Sequence, residues 1–210
     1  MLKKIVSGIL SGILVSIGGA VFLSCENRVV GAVLFSVALL SICFMGYSLY
    51  TGKVGFMAEK HGKEEWSVLL WGLLGNLIGT LFCGLILKFA VPSMRETANT
   101  VCQAKLTQPW YGTLVRGAFC GMLMYLAVAI YRNHKSPLGI LFGIPVFILS
   151  GFEHSIADMF YFACSDQYSL KTLLFIVLVV LGNSAGALLL CAMTVFIREK
   201  AKPSEEAGQK

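Results

Sequence analysis

Charged residues are scarce in this chain. Of its 210 residues, 13% are Asp, Glu, Lys or Arg, whereas 57% are hydrophobic. A water-soluble domain of this size could not hide so much apolar surface from solvent. The hydrophobic residues also cluster in stretches of about 20, each long enough to cross a bilayer core. The composition therefore excludes an ordinary soluble protein and predicts an integral membrane protein.

Several chemical signatures are missing as well. The seven cysteines include no Cys-x-x-Cys pair, and no histidine stands at metal-ligand spacing. The sequence contains no nucleotide-binding loop and no pairing of a nucleophile with a base. We therefore expect no metal and no cofactor. The net charge of +6 is interpreted as a signal of membrane orientation, so no nucleic-acid partner is expected.

Six apolar segments are long enough to span a membrane. They lack the short, alternating pattern of barrel strands, so helices are the predicted spanning elements. The segments are 5–24, 29–50, 66–91, 111–131, 138–163 and 173–197. We predict an all-α integral membrane protein with one six-span domain over 1–198, followed by a disordered cytoplasmic tail over 199–210.

The basic residues predict the orientation of these spans. With six crossings both termini lie on one side, and that side carries ten lysines and arginines against four on the other. By the positive-inside rule both termini are cytoplasmic, in a multi-pass protein of the cell inner (cytoplasmic) membrane. A cleaved secretory or lipoprotein signal is the alternative for the first segment. Its apolar core is long for a signal, and Phe22 and Leu23 fit a lipoprotein cleavage site poorly.

An internal repeat divides the chain into two halves. The pattern Leu-Gly-Asn-x-x-Gly occurs at 74–79 and again at 181–186, and a weaker similarity aligns Gly12 with Gly117. Each half, about 1–92 and 105–198, would contain three crossings, so the second half would be inverted in the membrane. Inverted three-helix repeats are typical of transporters and channels, although glycines four residues apart also serve ordinary helix packing.

The second and fifth segments are both interrupted. The second reads Leu-Tyr-Thr-Gly-Lys at 49–53, and the fifth contains Pro145 and Gly151, residues that weaken or break a helix. Broken helices at matching positions of two halves point to a binding site, and a helix that begins inside the membrane suits an anion. Directly after the second break, residues 153–158 place three ionisable side chains in an apolar segment. Such groups usually face a bundle interior or an aqueous path.

Taken together, these motifs resemble the formate/nitrite transporter family. Gly-Phe-Glu-His-Ser-Ile-Ala-Asp-Met-Phe at 151–160 is similar to that family's fifth-span motif, and Leu-Tyr-Thr-Gly at 49–52 resembles the loop that interrupts its second span. Ala-Lys at 104–105 and Gly-Asn at 182–183 match as well. The resemblance implies an aquaporin-like protomer with helices 2 and 5 broken, a homopentamer with one pore in each protomer, and passage of formate, nitrite or hydrosulfide.

The resemblance also implies which residues contact the substrate and which restrict the pore. The implied substrate or pore residues are His154, Thr51, Lys105 and Asn183. Phe35, Leu39 and Tyr50 would belong to one apolar constriction and Phe147 to the other. Between the constrictions, His154 would hydrogen-bond the anion or protonate it. A neutral solute crosses an apolar constriction at a smaller desolvation cost than an ion does.

Each polar side chain also has a structural interpretation. Thr51 could bond a backbone carbonyl, Lys105 could extend to water, and Asn183 could join two helices. Glu153 is expected to be a structural partner. Asp158, on the same helical face as the histidine, would either set the histidine tautomer or lie at an interface.

The chain departs from the family's pattern at several positions. It begins almost directly at the first span, which puts gating by the amphipathic N-terminal helix of many members in doubt. Gly121 stands where an asparagine is common, which predicts a missing polar pore contact. Asp158 also replaces a common asparagine, and Tyr50 replaces a phenylalanine. The Tyr-Thr-Gly-Lys variant is similar to the hydrosulfide-conducting branch.

Two other classes of function stay open. An integral-membrane enzyme would use His154, Glu153 and Asp158 as acid–base groups, but no metal cluster or nucleotide loop accompanies them. A neutral-solute pore of the aquaporin type would need an Asn-Pro-Ala pair, which is absent, and the chain is short for an ammonia channel. The expected partners are therefore a small monovalent anion, membrane lipid and further copies of the chain.

Overall fold

The structure is a computed structural model that describes residues 1–59 and 62–206. Within these ranges every regular element is helical. In chain order the helices are α1 Leu2–Ser24, α2 Arg28–Met45, α3 Tyr50–Lys53, α4 Lys63–Ala90, α5 Pro92–Leu106, α6 Trp110–His134, α7 Leu138–Leu149, α8 Ser155–Cys164 and α9 Leu170–Glu206. A 3₁₀ turn, Val54–Ala58, follows α3 directly.

Five of the described helices are long and apolar enough to cross a membrane, namely α1, α2, α4, α6 and α9. The segment 138–163, predicted as one span, is divided into two shorter apolar helices, α7 with 12 residues and α8 with 10. The all-helical architecture is thus confirmed within the described residues, and five of the six predicted spans are single apolar helices.

Two helix pairs, α1 with α4 and α6 with α9, pack backbone against backbone. A Cβ atom at Gly75 would approach the Cα of Gly8 to 2.8 Å, and one at Gly182 would approach the Cα of Gly117 to 3.0 Å. Glycine is required at such contacts because any side chain would separate the helices. Gly117 of the second half therefore corresponds to Gly8 of the first half. The predicted match of Gly117 was Gly12, which lies one helical turn further along α1.

Gly121 lies in the same contact between α6 and α9. A Cβ atom there would collide with the main chain of Asn183. Any larger side chain would have to push the two close-packed helices apart. The expectation that Gly121 marks a lost polar pore contact is therefore wrong, because this position is a helix–helix contact.

Two glycines in the left-handed backbone region follow the helices that precede the breaks. Gly46 follows α2 with φ 70°, and Gly151 follows α7 with φ 67°. This conformation is open to glycine at little cost and commonly terminates helices. Pro145, by contrast, lies inside α7. The glycines mark the breaks, after which Leu49 is the N-cap residue of α3 and His154 that of α8.

The last helix continues beyond the predicted end of the sixth segment at 197. Its backbone is helical as far as Glu206, whereas the sequence predicted disorder over 199–210. Residues 198–201 read Arg-Glu-Lys-Ala, and all four residue types have high helix propensity, so they can extend the helix without help from an apolar core. Residues 207–210 lie outside the described part of the chain.

Asp166, just after α8, fixes α5 and α4 against the end of that helix. Its carboxylate accepts hydrogen bonds from Arg95 at 2.8 and 2.9 Å and from Asn99 Nδ2 at 2.8 Å. Lys88 Nζ lies 2.8 Å from Asp166 Oδ1. Arg95, with Lys88 and Asn99, holds the pKa of Asp166 well below its usual range, because these donors favour the ionised form.

The Asp166→Asn change is expected to lower the melting temperature at neutral pH, because an amide cannot accept the paired bonds of Arg95. The folded-state pKa of Asp166 is depressed, so its stabilisation is present above the unfolded pKa of about 3.9 and is lost as pH falls through the lower folded value. Thermal melting in detergent from neutral to acid pH measures this.

Glu96→Gln is the matched control, since Glu96 is an exposed carboxylate next to Arg95 on α5 and its loss removes the same charge. Its melting curves should follow those of the wild type at every pH. An Asp166→Asn protein that melts with the wild type at neutral pH would contradict the role given to this carboxylate.

Candidate functional site

His154 occupies the break between α7 and α8, where its side chain is 3% exposed. Its Nδ1 accepts a hydrogen bond from the Ala157 N–H at 3.1 Å, and its Nε2 lies 2.8 Å from Thr51 Oγ1. Since a backbone N–H can only donate, Nδ1 carries no proton, and the neutral ring bears its proton on Nε2. Nε2–H then donates to Thr51, whose own hydroxyl hydrogen is left for another acceptor.

An aromatic contact flanks this histidine. The ring of Phe147 stacks on the imidazole with ring centroids 5.5 Å apart and an interplanar angle of 21°. The same ring meets Phe35 of α2 edge to face, with centroids 6.4 Å apart. Phe35 and Phe147 are therefore in one contact, which differs from the predicted grouping of Phe35 with Leu39 and Tyr50.

Two cavities approach the histidine from opposite ends of the helix bundle. One, called here the Lys105 cavity, has a volume of about 510 Å³ and is bordered by Lys105, His154 and Phe147. The other, the Lys53 cavity, has a volume of about 480 Å³ and is bordered by Lys53 and Leu39, among others. His154 thus forms part of the wall of the first cavity, and Leu39 part of the wall of the second.

Thr51 and its neighbours separate the two cavities. Thr51 is 1% exposed, is bonded to His154 on one side, and precedes Gly52, which borders the Lys53 cavity. Leu49, 2% exposed, borders that cavity as well. Sequence reasoning did not single out Leu49, although it begins the motif at 49–52. The narrow zone between the cavities therefore includes the loop before α3 as well as the predicted phenylalanines.

Tyr50 lies in the same zone and is bonded at both ends. Its hydroxyl oxygen is 2.8 Å from Ser184 Oγ, and its N–H donates to Asn76 Oδ1 at 2.9 Å. The hydroxyl that distinguishes Tyr50 from phenylalanine is thus directed to α9. It ties the break after α2 to the other half of the chain.

Asn76 satisfies the main chain at the first break. Its Nδ2 donates to the carbonyl oxygens of Gly8 and Ser48, each at 2.9 Å, and its Oδ1 accepts from Tyr50 N–H. The side chain is fully buried. Buried carbonyl and N–H groups in an apolar medium are costly without such partners. Sequence reasoning left Asn76 out of the site, although the repeated motif contained the signal.

Asn183 makes the same set of bonds at the second break. Its Nδ2 donates to Gly117 O at 2.8 Å and to Glu153 O at 2.7 Å, and its Oδ1 accepts from Ser155 N–H at 2.9 Å. This amide, predicted as a substrate or pore group, is fully buried and bonded to main chain on both sides of His154. Its geometry is that of a brace for the histidine.

Lys105 is held between two carboxyl groups. Its Nζ donates to Glu153 Oε2 and lies 3.0 Å from Asp158 Oδ1, and Gln108 Nε2 donates to Glu153 Oε1 at 2.8 Å. The side chain of Lys105 is 15% exposed, so it does not extend into open water. The histidine tautomer is set by Ala157 N–H, and Asp158 is an ion-pair partner of Lys105 instead.

Comparison with known proteins adds independent findings. The family model described as formate/nitrite transporter matches residues 1–197. The nitrite transporter NirC of Salmonella typhimurium is 32% identical over 167 residues, which cover 70% of this chain and 61% of that protein. The formate channel FocA of Haemophilus influenzae is 24% identical over 152 residues, which cover 64% of this chain and 52% of that protein. The chain thus spans about three fifths or less of the length of these curated relatives.

Solved structures agree with this chain over most of its length. An FNT family ion channel superposes with a TM-score of 0.84 at 26% identity, covering 94% of this chain and 90% of that one. A pentameric formate channel with formate bound superposes with a TM-score of 0.79 at 21% identity, covering 94% and 97%. The fold is therefore that of these channels.

The Asn183→Asp change is expected to destabilise the protein by about 3 kcal/mol, because the carboxylate loses both donors and faces two carbonyl oxygens in a buried site. The unfolding midpoint and the yield of monodisperse protein in detergent measure the loss. Asn133→Asp makes the same chemical change at an exposed position of α6 and should have little effect. Equal stability of the two variants would contradict the bracing role.

Proposed function

The chain belongs to the formate/nitrite transporter family, and from this premise we propose that it passes formate, nitrite or hydrosulfide across the cytoplasmic membrane. It is a multi-pass membrane protein. The named relatives are transporters and channels, which favours transport over the acid–base enzyme considered from the sequence. The observation that carries the proposal is the His154–Thr51 hydrogen bond between two cavities at opposite ends of the bundle.

The proposed pore contacts follow from the orientation of the imidazole. An anion in the Lys105 cavity would accept a hydrogen bond from the Thr51 hydroxyl or, by displacing Thr51, from His154 Nε2–H. Donating a proton from His154 would require a doubly protonated ring, whose Nδ1–H would then oppose the Ala157 N–H. Hydrogen bonding needs no such rearrangement, so it is the form of the histidine mechanism that we propose.

We further propose that the apolar residues around His154 restrict passage on both sides. Phe147 with Phe35 would close the side of the Lys105 cavity, and Leu39 with Leu49 the side of the Lys53 cavity. Such rings exclude water, so an ion that crosses them loses hydration. The Thr51 and His154 donors would offset part of that loss at the midpoint, and Tyr50 would hold the loop in place.

The proposed architecture has six spans in two inverted repeats. α7 and α8, at about 18 and 15 Å, would together cross a bilayer core of about 30 Å as the fifth, broken span. The repeat is supported by the equivalent bonds of Asn76 and Asn183 and by the equivalent glycine contacts of the two helix pairs. The distribution of basic residues supports cytoplasmic termini, with the Lys105 cavity then opening outward.

Transport is tested in proteoliposomes loaded with formate, nitrite or hydrosulfide, for the wild type and for His154→Phe. We expect flux of at least one of these anions in the wild type and a loss of about tenfold or more in the variant, which removes a hydrogen bond to a charged solute worth about 1.5 kcal/mol or more. A rate that depends on anion concentration, without a covalent product, distinguishes transport from catalysis and from a neutral-solute pore.

His134→Phe is the matched control, because His134 is exposed at the end of α6 and borders neither restriction. It should transport as the wild type does. A His154→Phe protein with wild-type rate and wild-type pH dependence would contradict the role of the histidine, and absence of flux for all three anions would contradict the proposed function itself.

We propose a homopentamer surrounded by membrane lipid. Large apolar side chains remain exposed along α2 and α4, which a bilayer or further copies would cover; they include Val33, Leu34, Val37, Leu81 and Phe82. The structural neighbour at 21% identity is itself a pentameric channel, which supports the same assembly here. Native mass measurement of the detergent-solubilised protein should give five copies of the chain, and a monomer under mild detergent would contradict the assembly.

A further inference from the structure

The charges around Lys105 do not balance. This ammonium is the partner of two buried carboxyl groups, Glu153 at 2% exposure and Asp158 at 1%. Glu153 is satisfied, since it accepts from Lys105 and from Gln108. Asp158 is not: Oδ1 lies 3.0 Å from Lys105 Nζ, but neither oxygen makes a hydrogen bond of regular geometry to any residue in 1–59 or 62–206.

Although its oxygens are buried, the Asp158 side chain belongs to the wall of a cavity. Asp158 borders the Lys105 cavity of about 510 Å³, together with Lys105, Glu153 and His154. An ionised carboxylate that is buried without hydrogen bonds is costly. With a proton, the same group is neutral and gains an O–H donor that can point into the cavity. Ionisable groups inside a membrane bundle commonly serve ion or proton pathways.

We propose that Asp158 binds a proton when an anion occupies the Lys105 cavity, so that anion and proton enter the protein together. With both carboxyl groups ionised, the cluster carries a net negative charge and repels an anion. With a proton on Asp158, Lys105 and Glu153 neutralise each other, and the Asp158 O–H donates a hydrogen bond to the anion. This inference rests on the proposed function, which it deepens by naming a proton site distinct from His154.

The other groups near Asp158 leave this balance unchanged. Nearby neutral groups from α5, α6 and α8 are the thiols of Cys102 and Cys120 and the phenol of Tyr161. Thr51 of α3 and Asn183 of α9 are uncharged, and Lys88 of α4 is bound to Asp166 beyond the end of α8. Arg28 and Arg116 border the same cavity, where they are exposed or partly exposed and screened by solvent.

The first test compares formate flux of the wild type and of Asp158→Asn in proteoliposomes from about pH 5.5 to about pH 8.5, where formate stays ionised. Asparagine has the shape of a neutral carboxyl group but cannot titrate. Wild-type flux should fall by about tenfold toward the alkaline end, where the cluster becomes negative. Asp158→Asn should exceed the wild type there by a similar factor, and Glu96→Gln should follow the wild type. Equal pH profiles for wild type and Asp158→Asn would overturn the inference.

The main measurement of the second test uses wild-type protein, so it does not depend on whether Asp158→Asn folds. The chain contains two aspartates, Asp158 and Asp166, and Asp166 stays ionised because its pKa is well below the usual range. In wild-type protein labelled with ¹³C at aspartate carboxyl groups, formate added at alkaline pH should produce the infrared band of a protonated aspartate. The band should persist in Asp166→Asn and be absent in Asp158→Asn.

The outcomes separate this inference from the proposed function. If wild-type liposomes pass formate, two infrared results overturn the proton site alone. One is the absence of a protonated aspartate in the labelled protein, and the other is a band of equal size with and without formate. Wild-type liposomes that pass none of the three anions overturn the proposed function. A formate-dependent band assigned to Asp158 supports the inference even if Asp158→Asn does not fold.

Discussion

A helix that stops inside an apolar bundle leaves main-chain donors and acceptors without water to bond. In this chain two asparagine amides satisfy those groups, and each uses its two donors for carbonyls and its oxygen for one N–H. Asn183 joins the residues on either side of His154, so the break has a fixed shape. With the break fixed, the imidazole has one orientation, Nδ1 toward Ala157 N–H and Nε2 toward Thr51. The restriction that we propose between the two cavities depends on this arrangement.

The amides can reach the breaks only because the helices that carry them lie very close to their neighbours. Gly75 and Gly182 bring α4 against α1 and α9 against α6 with no side chain between the backbones. At that separation an amide on one helix reaches a carbonyl of the next within 2.9 Å. The residues of the motif Leu-Gly-Asn-x-x-Gly therefore act together: the glycines allow the close helix contact, and the asparagine forms hydrogen bonds across it.

Much of this was accessible from the sequence. Length and apolarity predicted membrane helices, the repeated motif marked both amides, and the resemblance joined His154 to Thr51, 103 residues away, as the structure does. What sequence spacing could not supply is which helix faces meet. Phe35 and Phe147 touch across α2 and α7, and Gly121 packs on α9. The polar helix α5 shows no span pattern, so nothing along the chain fixed the position of Lys105 between Glu153 and Asp158.

The site divides hydrogen bonding and charge balance between different groups. Both ring nitrogens of His154 are hydrogen-bonded. Its Nε2–H can donate to a solute that displaces Thr51, but the ring can take a second proton only by giving up the bond from Ala157. That bond also caps α8, so protonation of the ring would disturb the break that positions it. Asp158 pairs with Lys105, but neither of its oxygens makes a hydrogen bond of regular geometry within the described residues, and Lys105 keeps Glu153 as a partner when Asp158 is neutral. In the proposed mechanism a proton therefore binds to Asp158 at the cavity wall, while the hydrogen bonds of His154 stay in place. We therefore place the proposed coupling of charge to passage at Asp158, while the imidazole stays fixed.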